Sequence, residues 1–146
     1  MKQSLGLALV LVAFASSALA APVIADAEVR APMNGQDMTA AYLMITNPDP
    51  KDDVLLRVTS PVAKTIELHD VKTTDGVKRM FEVKKLAIKS GATAHLMPGG
   101  QHVMLFDLKS DLKVGDTVPL TLVFKRAGTV TVSAAVVARP GMTHTH

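Results

Sequence analysis

Cysteine and tryptophan are absent from this chain of 146 residues, and aromatic residues make up only 3% of it. The first absence excludes disulfides, thiolate nucleophiles and every thiolate metal site, so a small domain of this composition must stand on its hydrophobic core alone. The scarcity of aromatics removes the stacking groups that single-stranded nucleic acids need. Charge of one sign is also lacking: 16 Lys+Arg face 13 Asp+Glu, interspersed without a basic block. Nucleic-acid binding therefore has neither its electrostatic footprint nor its stacking platform. No phosphate-binding glycine loop occurs, and no serine stands in a nucleophile motif. Asp70 follows His69 directly, but neighbours on a strand face opposite ways, so the two do not form a base and its orienter.

Apolar residues are abundant at the start. Lys2 precedes a run from Leu5 to Ala15, and Ala18-Leu19-Ala20 has the small-x-small form of a cleavage site. This is the pattern of a secretory signal peptide over residues 1–20, cut after Ala20, with export to a bacterial periplasm as the expectation. The run falls short of the roughly 18 apolar residues of a membrane helix, and no later run reaches that length, so no span is expected in the mature chain.

Beyond Ala20 the sequence consists of short stretches rich in Val, Thr, Leu and Ala. They are separated by turn formers: Asn47-Pro48-Asp49-Pro50, Thr74-Asp75-Gly76, Ser90-Gly91, Pro98-Gly99-Gly100, Gly115-Asp116 and Ala127-Gly128. Such stretches read as strands. They are Val23–Arg30, Ala40–Asn47, Asp53–Ser60, Thr65–His69, Lys78–Val83, Thr93–Leu96, Gln101–Leu108, Thr117–Lys125 and Thr129–Val137. The best helical period, Met38–Leu43, is weak. Seven to nine short strands at this interval predict an all-β sandwich, one domain over residues 21–138. Proline and glycine then open a loose tail over residues 139–146.

Four residues carry the chemistry. Ten residues separate His69 from Met80, twenty-one separate Met80 from His102, and one separates His102 from Met104. Thioether sulfur is soft and neutral, and with imidazole it suits Cu(I) rather than Mg, Ca or Zn. His102 and Met104 share one face of a strand, about 6.6 Å apart along it, while Val103 and Leu105 point to the core. His69 closes one run and Met80 sits early in the next, with a turn at Thr74-Asp75-Gly76 to bring them together. Taken singly, each methionine is ordinary core filler and each histidine an ordinary surface residue. Their joint spacing favours a metal site. His95 and Met97 form a second H-x-M pair at a strand end, read as a surface pair with a secondary metal contact as its functional alternative. Met142, His144 and His146 in the tail are further candidates for metal, on composition alone.

The arrangement H-x10-M-x21-H-x-M resembles the periplasmic copper chaperones called PCuAC. The resemblance extends to Glu67-Leu68-His69, Gly76-Val77, Pro98-Gly99-Gly100, His102-Val103-Met104-Leu105, Leu122-Val123-Phe124 and Ala127-Gly128. Upstream, Ala40-Ala41-Tyr42-Leu43 and Ile45-Thr46-Asn47 also fit, so nearly all of the mature chain is covered. It implies a cupredoxin-like Greek-key β-sandwich with an exposed Cu(I) site at His69, Met80, His102 and Met104. It also implies delivery of copper to the apo copper domain of cytochrome c oxidase or to another copper chaperone. The tail looks like a shortened His/Met-rich extension that would take Cu(II).

Three other readings stand beside this one. A blue-copper redox protein needs a cysteine ligand and is excluded. A copper storage or resistance protein would use the same four residues. A metal-free structural sandwich would place His69 and His102 far apart. On every reading but the redox one, the chain is not an enzyme.

Overall fold

The computed structural model describes residues 18–140. The expected signal peptide therefore lies almost wholly outside the described residues, and so do Met142, His144 and His146 of the tail. Ten strands are present: β1 (Val23–Arg30), β2 (Thr39–Thr46), β3 (Asp53–Thr59), β4 (Ala63–Thr74), β5 (Val77–Val83), β6 (Leu86–Ile88), β7 (Thr93–Leu96), β8 (His102–Leu108), β9 (Thr117–Phe124) and β10 (Gly128–Val137). The protein is all-β. No helix among the described residues is long and apolar enough to cross a membrane.

The strands follow from period-two patterning. In β2, Ala41, Leu43 and Ile45 are buried while Tyr42, Met44 and Thr46 on the other face are only partly covered. In β9, Val118, Leu120, Leu122 and Phe124 face inward in the same way. Both patterns put one apolar face against a shared interior. Val103 and Leu105 of β8 join it with no exposed surface, as their alternation with His102 and Met104 predicts. The weak helical period at Met38–Leu43 is overridden by β2, because its alternating burial matches a sheet.

The strand order is β5-β4-β8-β2-β1-β10-β9-β3-β6, with β7 also paired to β2. β1 and β10 pair in parallel, and the other pairings are antiparallel. Ten strands exceed the seven to nine expected. The additional one, Leu86-Ala87-Ile88, is three residues long and set among lysines, so no alternation advertises it. It covers the β3 edge, with Leu86 opposite Leu55 and Ile88 opposite Asp53.

β4 is also longer than expected. It does not stop at His69 but continues to Thr74, because β5 pairs with it along its whole second half. The polar stretch Asp70 to Thr74 hides this in the sequence. Asp75 (φ 52°) and Gly76 (φ 75°) close the hairpin with two successive left-handed residues. That is the two-residue turn whose twist matches the flanking strands. It sets Val71 opposite Met80.

A polar cluster ties the segment after β2 to the start of β3 and the turn after β9. Buried Asn47 donates through Nδ2 to the carbonyls of Lys51 and Ile88. Arg126 Nη1 donates to Asp49 Oδ1 at 3.0 Å, and Asp53 accepts from the backbone N–H groups of Arg126 and Ala127. These groups are buried because each has its partner.

Candidate metal centre

Strand pairing decides the site. β4 lies between β5 and β8, and the β4–β8 register puts His69 opposite His102 and Glu67 opposite Met104. The β4–β5 register puts Glu82 opposite His69 and Met80 opposite Val71, two residues further along the same face. All four expected residues thus share one sheet face. The imidazole centroids of His69 and His102 are 5.8 Å apart.

The residues differ in exposure. His102 is 5% exposed and Met104 6%, whereas Met80 is 57% exposed. Met80, His102 and Met104 line one surface depression of about 280 Å³, together with Met38, Tyr42 and Arg139. His69 does not line it. It lies behind, against His102 and Phe106, its ring 5.9 Å from the phenyl ring. Tyr42 flanks His102 from β2 at 6.3 Å and is itself covered by the Arg30 guanidinium, 5.4 Å above its ring.

Each imidazole has one nitrogen committed and one free. His102 Nδ1 lies 2.8 Å from the Gly100 carbonyl. A carbonyl can only accept, so Nδ1 carries the proton and Nε2 keeps its lone pair. His69 Nε2 lies 2.7 Å from Glu67 Oε2. A carboxylate accepts there too, which leaves Nδ1 of His69 as the acceptor nitrogen. That atom is buried and is the one buried side-chain N or O among the described residues with no hydrogen-bond partner. A buried lone pair without a donor is costly, and a bound cation would satisfy it. Imidazoles oriented by a carbonyl and a carboxylate are the usual preparation for metal binding.

Glu67 escaped notice as an individual residue in the sequence. Its signal was the i, i+2 relation to His69, which on a strand means the same face. Asp70, by contrast, turns away: its carboxylate accepts from the Val71 N–H and from Gln101 Nε2, so it does not orient His69. No cluster of three or more His, Asp or Glu suited to a hard cation exists among the described residues. The donor set is soft, and His2Met2 fits a monovalent soft ion.

Comparison with known proteins gives the family and the fold. The family described as "Putative lipoprotein LpqE-like" matches residues 23–136. A protein of Leifsonia xyli subsp. xyli, "Putative lipoprotein Lxx21020", is 36% identical over 103 residues, 70% of this chain and 62% of that protein. An uncharacterized protein of Rickettsia prowazekii is 32% identical over 87 residues, 59% of this chain and 48% of that one. The match therefore spans less than two thirds of either relative. With no cysteine, this chain has no thiol to carry an S-linked lipid.

Among solved structures, the copper-bound PCuAC domain from PmoF2 superposes with a TM-score of 0.71 at 28% identity, covering 84% of this chain and 97% of that domain. The solution structure of CuI-DR1885 from Deinococcus radiodurans superposes with a TM-score of 0.67 at 32% identity, covering 87% and 83%. Matched across most of its length by sequence and by fold, the chain belongs to the LpqE-like family, and its domain is of the PCuAC type.

Proposed function

We propose that this protein is an exported Cu(I)-binding chaperone that holds the ion on His69, Met80, His102 and Met104. The observation that carries the reading is the cross-strand pairing of His69 with His102. Each ring offers one unprotonated nitrogen, and Met80 and Met104 lie on the same face. Copper-bound and Cu(I)-bound relatives of the same fold support the choice of ion. The lipoprotein names among the relatives support export, with periplasmic residence after cleavage at Ala20 as the finer expectation.

The ligand set suits transfer. Neutral thioethers and imidazoles grip Cu(I) less firmly than thiolates would, so a recipient with cysteine ligands draws the ion downhill. Met80 is the exposed member of the set and the natural point for an incoming ligand to displace. The other three are recessed and hold the ion while exchange begins. The recipient we favour is the apo copper domain of cytochrome c oxidase. Met142, His144 and His146 would collect Cu(II) outside the domain.

The reading is tested by titrating the protein with Cu(I) against a chromogenic cuprous chelator. One tight equivalent is expected, lost in His102→Ala and greatly weakened in Met104→Leu; undiminished binding in both would remove the site from this face. Incubating the loaded protein with an apo oxidase copper domain then separates delivery from storage, since a storage protein would retain its copper.

A further inference from the structure

A second group of soft donors lies on the same sheet face, outside the four residues assigned above. β7 and β8 pair with the same edge of β2 in succession, β7 along Leu43–Thr46 and β8 along Thr39–Ala41. The loop between them is closed by the Met97 N–H donating to the Gln101 carbonyl at 2.9 Å. Consequently the two H-x-M segments, His95-Leu96-Met97 and His102-Val103-Met104, flank one strand. Leu96 is buried as Val103 is, so His95 lies on the same sheet face as His102, exposed where His102 is buried.

β2 supplies the third donor. Met44 is the direct cross-strand partner of His95, which puts their Cβ atoms about 4.5–5.5 Å apart. Met44 and Met97 line a common depression, with Tyr42 as one wall and Asp26 and Glu28 at its side. On the other side Met44 faces Ala25, whose small side chain leaves the thioether room. Glu28 is engaged by Arg30 at 3.0 Å, and Asp26 stands at a backbone irregularity with φ 52°, adding negative charge beside the donors. His95 and Met97 are exposed, so nothing needs to move for an ion to reach them.

We propose that Met44, His95 and Met97 form a second Cu(I) subsite, shallower than the first and separated from it by Tyr42. Two thioethers and one imidazole make a neutral three-coordinate soft set, which takes Cu(I) or Ag(I) and has little to offer a hard cation. Met44 and Ala40, the latter opposite Met104, are four residues apart on β2, so the two sites lie about 13 Å apart along the strand. With three ligands instead of four, two of them exposed, the second subsite is the weaker. It fits a place where the ion first lands on, or last leaves, this face.

The test is an Ag(I) titration of the full chain labelled at the methionine methyl carbons and followed by NMR. The first equivalent is expected to move Met80 and Met104. Further Ag(I) is expected to move Met44 and Met97 together with the His95 ring. In His95→Ala the Met44 and Met97 shifts should disappear while those of Met80 and Met104 persist. The proposal is overturned if added Ag(I) moves only Met142 of the tail, if Met44 and Met97 stay fixed, or if they respond equally in His95→Ala. Zn(II) in place of Ag(I) should leave both methyls in place, and a response to Zn(II) equal to that for Ag(I) would also overturn it. Because the two methionine pairs report separately, failure of the four-residue site would be seen at Met80 and Met104 on its own.

Discussion

His69 and His102 face each other across β4 and β8 with their ring centroids 5.8 Å apart, although they belong to different thirds of the chain. Their free nitrogens are set by two different acceptors, Glu67 for His69 and the Gly100 carbonyl for His102. The proposed site is thus arranged by strand pairing and local hydrogen bonds, and its parts can be removed separately.

Glu67 holds His69 by its Nε2 proton, so losing it frees the ring. Glu67→Ala is expected to weaken Cu(I) by about 10–100-fold, the usual consequence of removing a carboxylate behind a metal-binding histidine. Glu67→Gln keeps an accepting oxygen and should recover most of the affinity. Chelator competition on the two variants measures the difference, and equal loss in both would place the effect in the charge and not in the hydrogen bond.

The two methionines should separate binding from stability. Met80 is exposed, so Met80→Leu should change unfolding free energy by less than about 0.5 kcal/mol. Met104 is buried; truncation to Ala should cost about 2–5 kcal/mol, whereas Leu fills the same space and should cost under about 1.5 kcal/mol. Both leucine variants lose a thioether and should bind Cu(I) more weakly while remaining folded, as urea denaturation beside chelator competition would record.

The hairpin turn places Met80 and is sensitive to its glycine. Gly76 has φ 75°, and an added Cβ meets nothing within 4 Å, so the cost of a side chain there is backbone strain alone. Gly76→Val should destabilise by about 1–2 kcal/mol, and Gly76→Asn, which tolerates the left-handed region, by less. Thermal unfolding tests the order, and Cu(I) affinity should fall in the valine variant as Met80 loses its fixed position.

Acid should loosen the polar cluster around Asp49. The Arg126 guanidinium, then the Lys51 N–H, hold the Asp49 carboxyl below its ordinary value of 3.8, against burial, which pushes it up. A carboxyl with a lowered folded-state pKa contributes stability that is complete above its unfolded value and is lost as pH falls through the folded one. The urea midpoint should therefore drop as pH falls through and below the ordinary carboxyl value of 3.8. Asp49→Asn should have a lower midpoint at neutral pH and a shallower acid decline; an unchanged acid limb would show that other carboxylates dominate it.

Much of this was legible in the amino-acid order. Alternation in β2, β8 and β9 marked the core face, and the turn at Asp75-Gly76 announced the hairpin, because both are properties of neighbouring residues. The same alternation put His102 and Met104 on one face. The short β6 and the polar second half of β4 were not legible, since each is a strand only by virtue of the partner that pairs with it. For the same reason His69 was expected at a strand end and is found in mid-strand, enclosed by β5 and β8.

The sequence by itself determined the donor atoms: no thiolate, imidazoles and thioethers, and a spacing that allowed them to meet. Only the tertiary structure decided that His69 pairs with His102, that Met80 and Met104 share their face, which nitrogen of each ring has an acceptor, and that Met44 joins His95 and Met97 on that face. The physical reason is that strand periodicity fixes the side a residue faces, whereas the residue opposite it depends on strand order and register. Those are set by how the whole apolar surface is buried at once.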